Sequence, residues 1–210
     1  MTLLEYDNKL HEDYEVIVGL DEVGRGPLAG PVVAAAVILP KGVNIEGVTD
    51  SKKIVKKKHR ELVDKIFEIA IEVRVGVVDS GRIDQINILE ADKEAMLIAV
   101  NQLQTKPDLL LIDGDDKQLL DTEIEQKTQV KGDSTSLSIA AASLVAKVVR
   151  DTMMDEYSKI YPGYGFETNS GYGTPKHMKA IEELGITPIH RLSFKPLKNN
   201  EDKYKWNYGL

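Results

Sequence analysis

Three uninterrupted apolar runs, separated by segments with helical periodicity, constrain the fold of this chain more than any other feature. The runs cover residues 16–20, 31–39 and 109–112, and each has the length and composition of a strand buried on both faces. Apolar residues recur at helical spacing in 83–103 and 136–157. Strands that alternate with helices predict an α/β fold with a partly parallel sheet.

Weaker patterns complete this prediction. Residues 72–78 are a further strand candidate, and the more polar 125–130 is an edge-strand candidate. A helix is expected to start after an N-cap at Asp50 or Ser51 and to end near Ala70, and another is expected over 175–184, where Pro175 suits the first turn. The segment after Ile160 is rich in glycine and tyrosine. We therefore expect a main domain over 1–160 and a small C-terminal extension over 161–210 that packs on it as one unit, with 197–210 as a loose tail.

Composition narrows the class of protein. The chain has 210 residues, 42% of them hydrophobic, which is enough for one core. It has no cysteine, so disulfides, thiolate zinc sites and cysteine nucleophiles are excluded. The acidic N-terminal segment differs from a signal peptide, and no apolar stretch reaches the roughly 20 residues that span a bilayer. We expect a cytoplasmic protein without membrane association, and a monomer by default.

Acidic residues follow three of the predicted strands. Asp21 and Glu22 come after the first apolar run, Asp113 comes after 109–112, and Asp133 follows the edge strand just before a helix. If the first and fourth strands are parallel neighbours, these acids meet at one edge of the sheet, where α/β folds bind ligands. Crowded carboxylates repel one another, whereas Mg²⁺ or Mn²⁺ would stabilise them. Helix caps or turn residues are the alternative interpretation of each acid taken singly.

A turn containing Gly24, Arg25 and Gly26, which we name the glycine–arginine turn, follows the first two acids. The glycines allow positive φ and close approach to a ligand, and Arg25 can face an anion. The turn leads through Pro27 and Pro31 into a strand, so the pattern differs from a dinucleotide-binding loop. A plain tight turn with a solvated arginine is the alternative.

Seven segments carry a resemblance to one known family. LDEVGRGPLAGP at 20–31 resembles the signature of the type 2 ribonucleases H, specifically ribonuclease HII. Further similar segments, in the family's order, are TDSKKI (49–54), LIDGD (111–115), KGDSTSLSIAAASLVAKVVRD (131–151), YPGYGF (161–166), GYGTPKH (171–177) and HRLSF (190–194). The sister family, ribonuclease HIII, has a different glycine motif and an additional N-terminal domain.

The resemblance implies a ribonuclease H-like mixed five-stranded sheet flanked by helices, with a small C-terminal helical extension. It implies an endonuclease that hydrolyses the RNA strand of RNA–DNA hybrids and nicks duplex DNA 5′ to embedded ribonucleotides, leaving 5′-phosphate and 3′-hydroxyl ends. The catalytic and metal-binding residues are expected to be Asp21, Glu22, Asp113 and Asp133, which we name the four acids. They would hold two Mg²⁺ or Mn²⁺ ions.

The resemblance also implies a substrate-binding set. The glycine–arginine turn would reach the ribose 2′-hydroxyl, and Tyr172 would pack on the next sugar. Ser51, Lys52 and Lys53 would bind phosphate at a helix start. A loop tyrosine that covers the core and a solvated lysine-rich helix face are the alternatives. Further contacts are expected from Lys147, Lys176, Arg191 and Lys195, and His177 and His190 are expected to be structural or close to phosphate.

Two other functions remain open from the residues alone. Another two-metal nuclease of the same fold would explain the four acids but would ignore the 2′-hydroxyl. A non-catalytic hybrid-binding module would bind the same RNA–DNA hybrid without turnover. The net charge of −7 argues against a nucleic-acid partner unless cations neutralise the acids.

Overall fold

A computed structural model describes residues 1–48 and 56–209 of the chain. The predicted phosphate-binding residues Ser51, Lys52 and Lys53, and the predicted N-cap, lie outside the described residues. The helices are α1 (Leu3–Leu10), α2 (Lys56–Ile69), α3 (Ser80–Ile86), α4 (Ile88–Asn101), α5 (Leu137–Ile160), α6 (Phe166–Asn169) and α7 (Pro175–Leu184). The strands are β1 (Ile17–Val23), β2 (Val32–Ile38), β3 (Glu72–Val78), β4 (Leu109–Asp113) and β5 (Glu125–Gln129).

The five strands form one mixed sheet in the order β3-β2-β1-β4-β5. β1 pairs antiparallel with β2 and parallel with β4, and β5 continues the parallel part. The predicted parallel neighbourhood of the first and fourth strands is therefore confirmed, with Leu20 beside Ile112. This register brings the carboxyl ends of β1 and β4 to the same edge of the sheet.

The sheet is covered on both faces, as the apolar runs predicted. On one face, β-strand residues such as Leu20 and Ala34 pack against α4 through Met96. On the other face, Val33 and its neighbours pack against α5 and α2. A further cluster around Tyr164 joins α7 to the C-terminal residues. Within the described part of the chain, no helix is long and apolar enough to cross a membrane.

Three local predictions were wrong, and one helix was missed. β1 continues to Val23, because its pairing with β2 extends past the expected end of the strand. The helix predicted over 83–103 is two helices, broken where Asn87 adopts a φ of 70°. Helix α1 was not predicted. The tail is not loose, since the amide of Ile186 donates to the carbonyl of Lys205 at 2.8 Å and the amide of Asn207 donates to the carbonyl of Ile186 at 2.6 Å.

Gly19 sets the separation between β1 and α5, two residues before the first predicted catalytic acid. A Cβ atom at this position would lie 2.2 Å from the backbone carbon of Ser138, at the start of α5. Gly19→Ala must therefore displace α5 from the sheet, and we expect it to lower the free energy of unfolding by about 3 kcal/mol. Denaturant unfolding measures this loss.

Gly81→Ala is the matched control. A Cβ at Gly81 would meet only the Asp79 carboxylate at 3.4 Å, and the residue lies in helix α3, where alanine is the better helix former. We expect this variant to be unchanged or stabilised by up to about 1 kcal/mol. If the two substitutions change the free energy of unfolding equally, the packing of α5 against β1 does not require glycine at position 19.

Candidate active site

Asp21 and Glu22 lie at the end of β1, with their side chains on opposite faces of the sheet. The side chain of Asp21 lies on the face of the sheet that α5 covers, because Asp21 is two residues after Gly19, which contacts Ser138. The side chain of Glu22 lies on the face that α4 covers, where Arg25 donates to its Oε1 atom at 3.3 Å. The strand pairing that extends β1 therefore delivers one carboxylate to each side of the same sheet edge.

Asp113 ends β4, and the loop after β5 folds back onto it. The amide of Gly132 donates to Oδ1 of Asp113 at 2.6 Å. A Cβ on Gly132 would lie 2.4 Å from Cδ1 of Ile139, so a larger residue here would require the Ile139 side chain to move. Lys131 takes a left-handed conformation with a φ of 56° to make the turn. Asp133, which is buried, is thereby placed beside Asp113.

The four acids line one cavity of about 560 Å³, which we name the acidic cavity. The sequence placed these acids at one edge of the sheet, and the structure brings all four together there. Other residues of its wall are Ser143, Lys147, Arg150 and Tyr172. Tyr172 is 50% exposed, so it does not cover the core as the alternative interpretation required. Asp115 and Asp116 are exposed and do not line the acidic cavity.

Burial and mutual repulsion change the ionisation of this site. Burial, followed by the charge of Asp113, raises the pKa of Asp21 to about 8. Burial also raises the pKa of Glu22 well above its usual value, and Asp92 and Asp21 add to the effect. Because these carboxylates resist ionisation, a positive charge bound at the site would stabilise their ionised forms.

The chemistry of the four acids fits divalent cations, although the acids are not arranged around one point. Among residues 1–48 and 56–209, no three acidic or histidine side chains are already positioned as ligands of one ion. The carboxylates instead accept protein donors, as when the amide of Glu22 donates to Oδ1 of Asp21 at 2.7 Å. Oε2 of Glu22 is buried and accepts no hydrogen bond from the residues that the structure describes. Oxygen-only donors of this kind suit Mg²⁺ or Mn²⁺.

The glycine–arginine turn lies beside the acidic cavity, and its two glycines serve different purposes. Gly24 has a φ of 101°, and a Cβ there would lie 2.3 Å from Nε of Arg150. Gly26 does not have positive φ, which corrects the expectation for this residue. It is small because Tyr172 approaches it, with Cε1 only 3.3 Å from the position of a Cβ. The turn and Tyr172 are therefore neighbours, as the resemblance implied.

Two buried arginines hold this turn and the segments next to it in place. Nη2 of Arg191 donates to the carbonyl of Gly24 at 2.6 Å, and Nη1 donates to that of Arg25 at 3.1 Å. Arg150 donates to the carbonyls of Ala29, Pro31 and Ser170. Arg191 has no exposed surface, so the prediction that it contacts substrate is wrong. The segment before Tyr172 and the glycine–arginine turn are fixed by these two side chains.

The two predicted histidines form a buried chain behind Tyr172. Nδ1 of His177 donates to the carbonyl of Tyr172 at 2.9 Å, and Nε2 of His177 lies 3.1 Å from Nε2 of His190. The amide of Thr187 donates to Nδ1 of His190 at 2.9 Å. Burial lowers the pKa of His177, and burial together with His177 lowers the pKa of His190 to about 3. Both rings are therefore neutral and structural.

Sequence reasoning missed Asp92. This residue has no exposed surface and lies on α4, where its Oδ2 atom is 3.6 Å from Nε of Arg25. Burial raises its pKa to about 6. The signal was present, because Asp92 lies one helical turn from both Ile88 and Met96, on the predicted buried side of the helix. An acid on an apolar stripe requires a polar partner.

One protein family and several solved structures are similar to this chain. The family model described as Ribonuclease HII matches residues 18–197. Ribonuclease H2 from Pyrococcus horikoshii OT3 superposes with a TM-score of 0.78 and 28% identity, over 90% of this chain and 98% of that chain. RNase HII of Archaeoglobus fulgidus, solved in a complex with PCNA, gives a TM-score of 0.69 and 25% identity, over 86% and 95%.

A third similar structure shares the fold alone. Bst-RNase HIII in complex with Mn²⁺ has a TM-score of 0.62 and 21% identity, over 87% of this chain and 68% of that chain. The ribonuclease H-like mixed sheet flanked by helices is thus common to all three. Because the family model spans most of the sequence, this chain belongs to the ribonuclease HII family, and it is an endonuclease that hydrolyses the RNA strand of RNA–DNA hybrids.

Proposed function

We propose that this endonuclease also nicks duplex DNA on the 5′ side of a single embedded ribonucleotide, leaving 5′-phosphate and 3′-hydroxyl ends. The observation that carries the proposal is the position of Tyr172, which lines the acidic cavity and approaches Gly26. A ribose recognised there would lie next to the four acids. Recognition of one 2′-hydroxyl is sufficient to distinguish a ribonucleotide from its DNA context.

We propose that the four acids hold two divalent cations, Mg²⁺ or Mn²⁺. The support is their shared cavity, their oxygen-only chemistry and the raised pKa of Asp21. Bound cations supply an activated water and neutralise charge on the scissile phosphate. Bst-RNase HIII, a protein of the same fold, was solved in complex with Mn²⁺.

The other residues of the site bind and orient the substrate. The Tyr172 ring offers a flat apolar face to a sugar and a hydroxyl that can meet the 2′-hydroxyl. Gly24 and Gly26 bring backbone groups close to the same sugar, and Arg25 supplies positive charge at the rim. Ser51, Lys52 and Lys53 are proposed to bind the phosphate backbone ahead of α2, which supports an RNA–DNA hybrid or ribonucleotide-containing duplex as the partner.

The test compares three duplexes of one sequence: DNA with one embedded ribonucleotide, a continuous RNA–DNA hybrid and all-DNA. With Mg²⁺ or Mn²⁺, we expect one nick 5′ to the ribonucleotide, cleavage of the hybrid and no cleavage of DNA. Tyr172→Phe removes only a hydroxyl, and we expect it to slow nicking of the embedded ribonucleotide by about tenfold or more. Tyr208→Phe, at an exposed tail tyrosine, is the matched control.

Other outcomes would replace the proposal. Cleavage of all three duplexes would favour another two-metal nuclease of the same fold. Cleavage of the hybrid alone would restrict recognition to continuous RNA. Binding without cleavage of any duplex would favour a hybrid-binding module and would contradict the activity expected of the family.

A further inference from the structure

Asp92 is a buried carboxylate whose hydrogen bonding is incomplete. Its side chain has no exposed surface, and its Oδ2 atom accepts from Nε2 of Gln118 at 2.8 Å. Its Oδ1 atom has no hydrogen-bond partner in the described part of the chain. A buried carboxylate of this kind destabilises the fold unless a cation compensates for it. Arg25 is a nearby cation, with Nε 3.6 Å from Oδ2 of Asp92.

Arg25 is held from three sides. Its backbone carbonyl accepts from Nη1 of Arg191 at 3.1 Å, which fixes the main chain. Its guanidinium group lies between Glu22, at 3.3 Å from Nη1, and Asp92. The side chain is nevertheless 46% exposed, so an incoming ligand can reach it. An arginine fixed before binding loses less conformational entropy when it contacts an anion.

The two carboxylates that hold Arg25 are not equivalent. Glu22 lines the acidic cavity and is one of the four acids, so its charge is shared with the reacting centre. Asp92 does not line that cavity. On its other side, Arg25 lines a separate groove of about 360 Å³ with Gly114, Lys117 and Gln118. Arg25 therefore stands between the acidic cavity and a second concave surface that also carries a lysine.

We infer that Asp92 is a positioning residue that fixes the Arg25 guanidinium group for contact with the nucleic-acid backbone. Gln118 in turn orients Asp92 through its amide. The inference rests on the proposed function of Arg25 in substrate binding, and it assigns to Asp92 an effect on binding rather than on the hydrolytic step. The partner of Arg25 is the phosphodiester backbone, because a half-exposed guanidinium group recognises phosphate oxygens.

Asp92→Asn is the main variant, since asparagine keeps the shape and an oxygen that can accept from Gln118 but removes the charge that faces Arg25. We expect KM to rise about tenfold on both the hybrid and the ribonucleotide-containing duplex, with kcat changed by less than about twofold. Gln118→Met should raise KM in the same direction by a smaller factor. Glu94→Gln, at a partly exposed acid two residues along α4, should leave KM unchanged.

A double-mutant cycle with Arg25→Ala separates positioning from general damage. If Asp92 acts through Arg25, adding Asp92→Asn to Arg25→Ala should leave KM where Arg25→Ala alone put it. Additive effects, or an unchanged KM in Asp92→Asn, would overturn the inference. A lower kcat with a lower melting temperature and unchanged KM would indicate a merely structural role and would also overturn it. Failure of the parent protein to nick the embedded ribonucleotide would remove the proposed function, while KM on the hybrid would still test Asp92.

Discussion

Asp21→Asn is expected to change activity and stability in opposite directions. Loss of one carboxylate from the acidic cavity should lower kcat on RNA–DNA hybrids by about 10³-fold, because cation-assisted stabilisation of the transition state contributes several kcal/mol. Without divalent cations, the same variant should unfold at a higher temperature than the parent protein. A residue kept for stability would not behave in this way.

The gain in stability follows from the raised pKa of Asp21. Its pKa is raised from 3.8 to about 8, so the folded protein binds this proton more tightly than the unfolded chain does. The cation-free protein should therefore lose stability as the pH rises from about 4 to about 8, and this dependence should flatten above that range. At pH 7 we expect Asn to recover up to about 4 kcal/mol, and each kcal/mol should raise the melting temperature by about 2–4 °C.

Thermal unfolding in EDTA across this pH range measures the effect. Asp121→Asn, which neutralises an exposed carboxylate outside the acidic cavity, is the control and should change stability by less than about 0.5 kcal/mol. Added Mg²⁺ or Mn²⁺ should stabilise the parent protein more than Asp21→Asn. If Asp21→Asn is less stable than the parent in EDTA at pH 7, burial of the Asp21 carboxylate and its repulsion by Asp113 do not limit the stability of this fold.

The main features of the fold and of the acidic cavity follow from local patterns in the sequence. Apolar runs that end in acids predict strands that deliver carboxylates to one sheet edge, and the parallel pairing of β1 with β4 confirms this arrangement. What local patterns missed was decided by tertiary contacts. The extension of β1 through Glu22 depends on pairing with β2, and the break at Asn87 depends on a positive φ that asparagine tolerates.

The residues that hold the site in place are harder to predict from the sequence than the four acids themselves. Arg150 and Arg191 donate to carbonyls more than 100 positions away, which no local spacing can reveal. Arginine is a residue type that commonly binds phosphate. Because both of these arginines are buried, they donate to backbone carbonyls instead. Asp92 is the exception, because its place on an apolar helix face marked it as a residue in need of a partner. The distinction between an arginine that binds substrate and one that holds a turn is a matter of burial.

Arg191→Lys is the second variant with a large expected effect, because one side chain satisfies several buried carbonyls. Its guanidinium group donates to Gly24 at 2.6 Å, to Arg25 at 3.1 Å and to Gly30 at 2.8 and 3.0 Å. An ammonium group cannot span these positions, so some carbonyls would remain buried without a donor. We expect the free energy of unfolding to fall by about 3 kcal/mol.

A competing effect acts in the other direction but is smaller. Burial and the nearby Arg150 lower the pKa of Arg191 to about 9, so the guanidinium group stays charged at neutral pH and repels its neighbour. Lysine would adapt to such repulsion more easily, by moving or by losing its proton. Because each unsatisfied buried carbonyl costs about 1–3 kcal/mol, the lost hydrogen bonds should outweigh this relief.

Arg191→Lys should also change how the protein recognises its substrate. With the carbonyls of Gly24 and Arg25 released, the glycine–arginine turn loses its position beside Tyr172, and nicking of an embedded ribonucleotide should fall more than cleavage of a continuous hybrid. Arg82→Lys, at an exposed arginine paired with Glu94, should leave the free energy of unfolding nearly unchanged. If both variants lose similar stability, or if the two substrates are affected equally, the turn does not depend on Arg191. A selective loss would show that specificity for ribose depends on a buried side chain that never contacts the substrate.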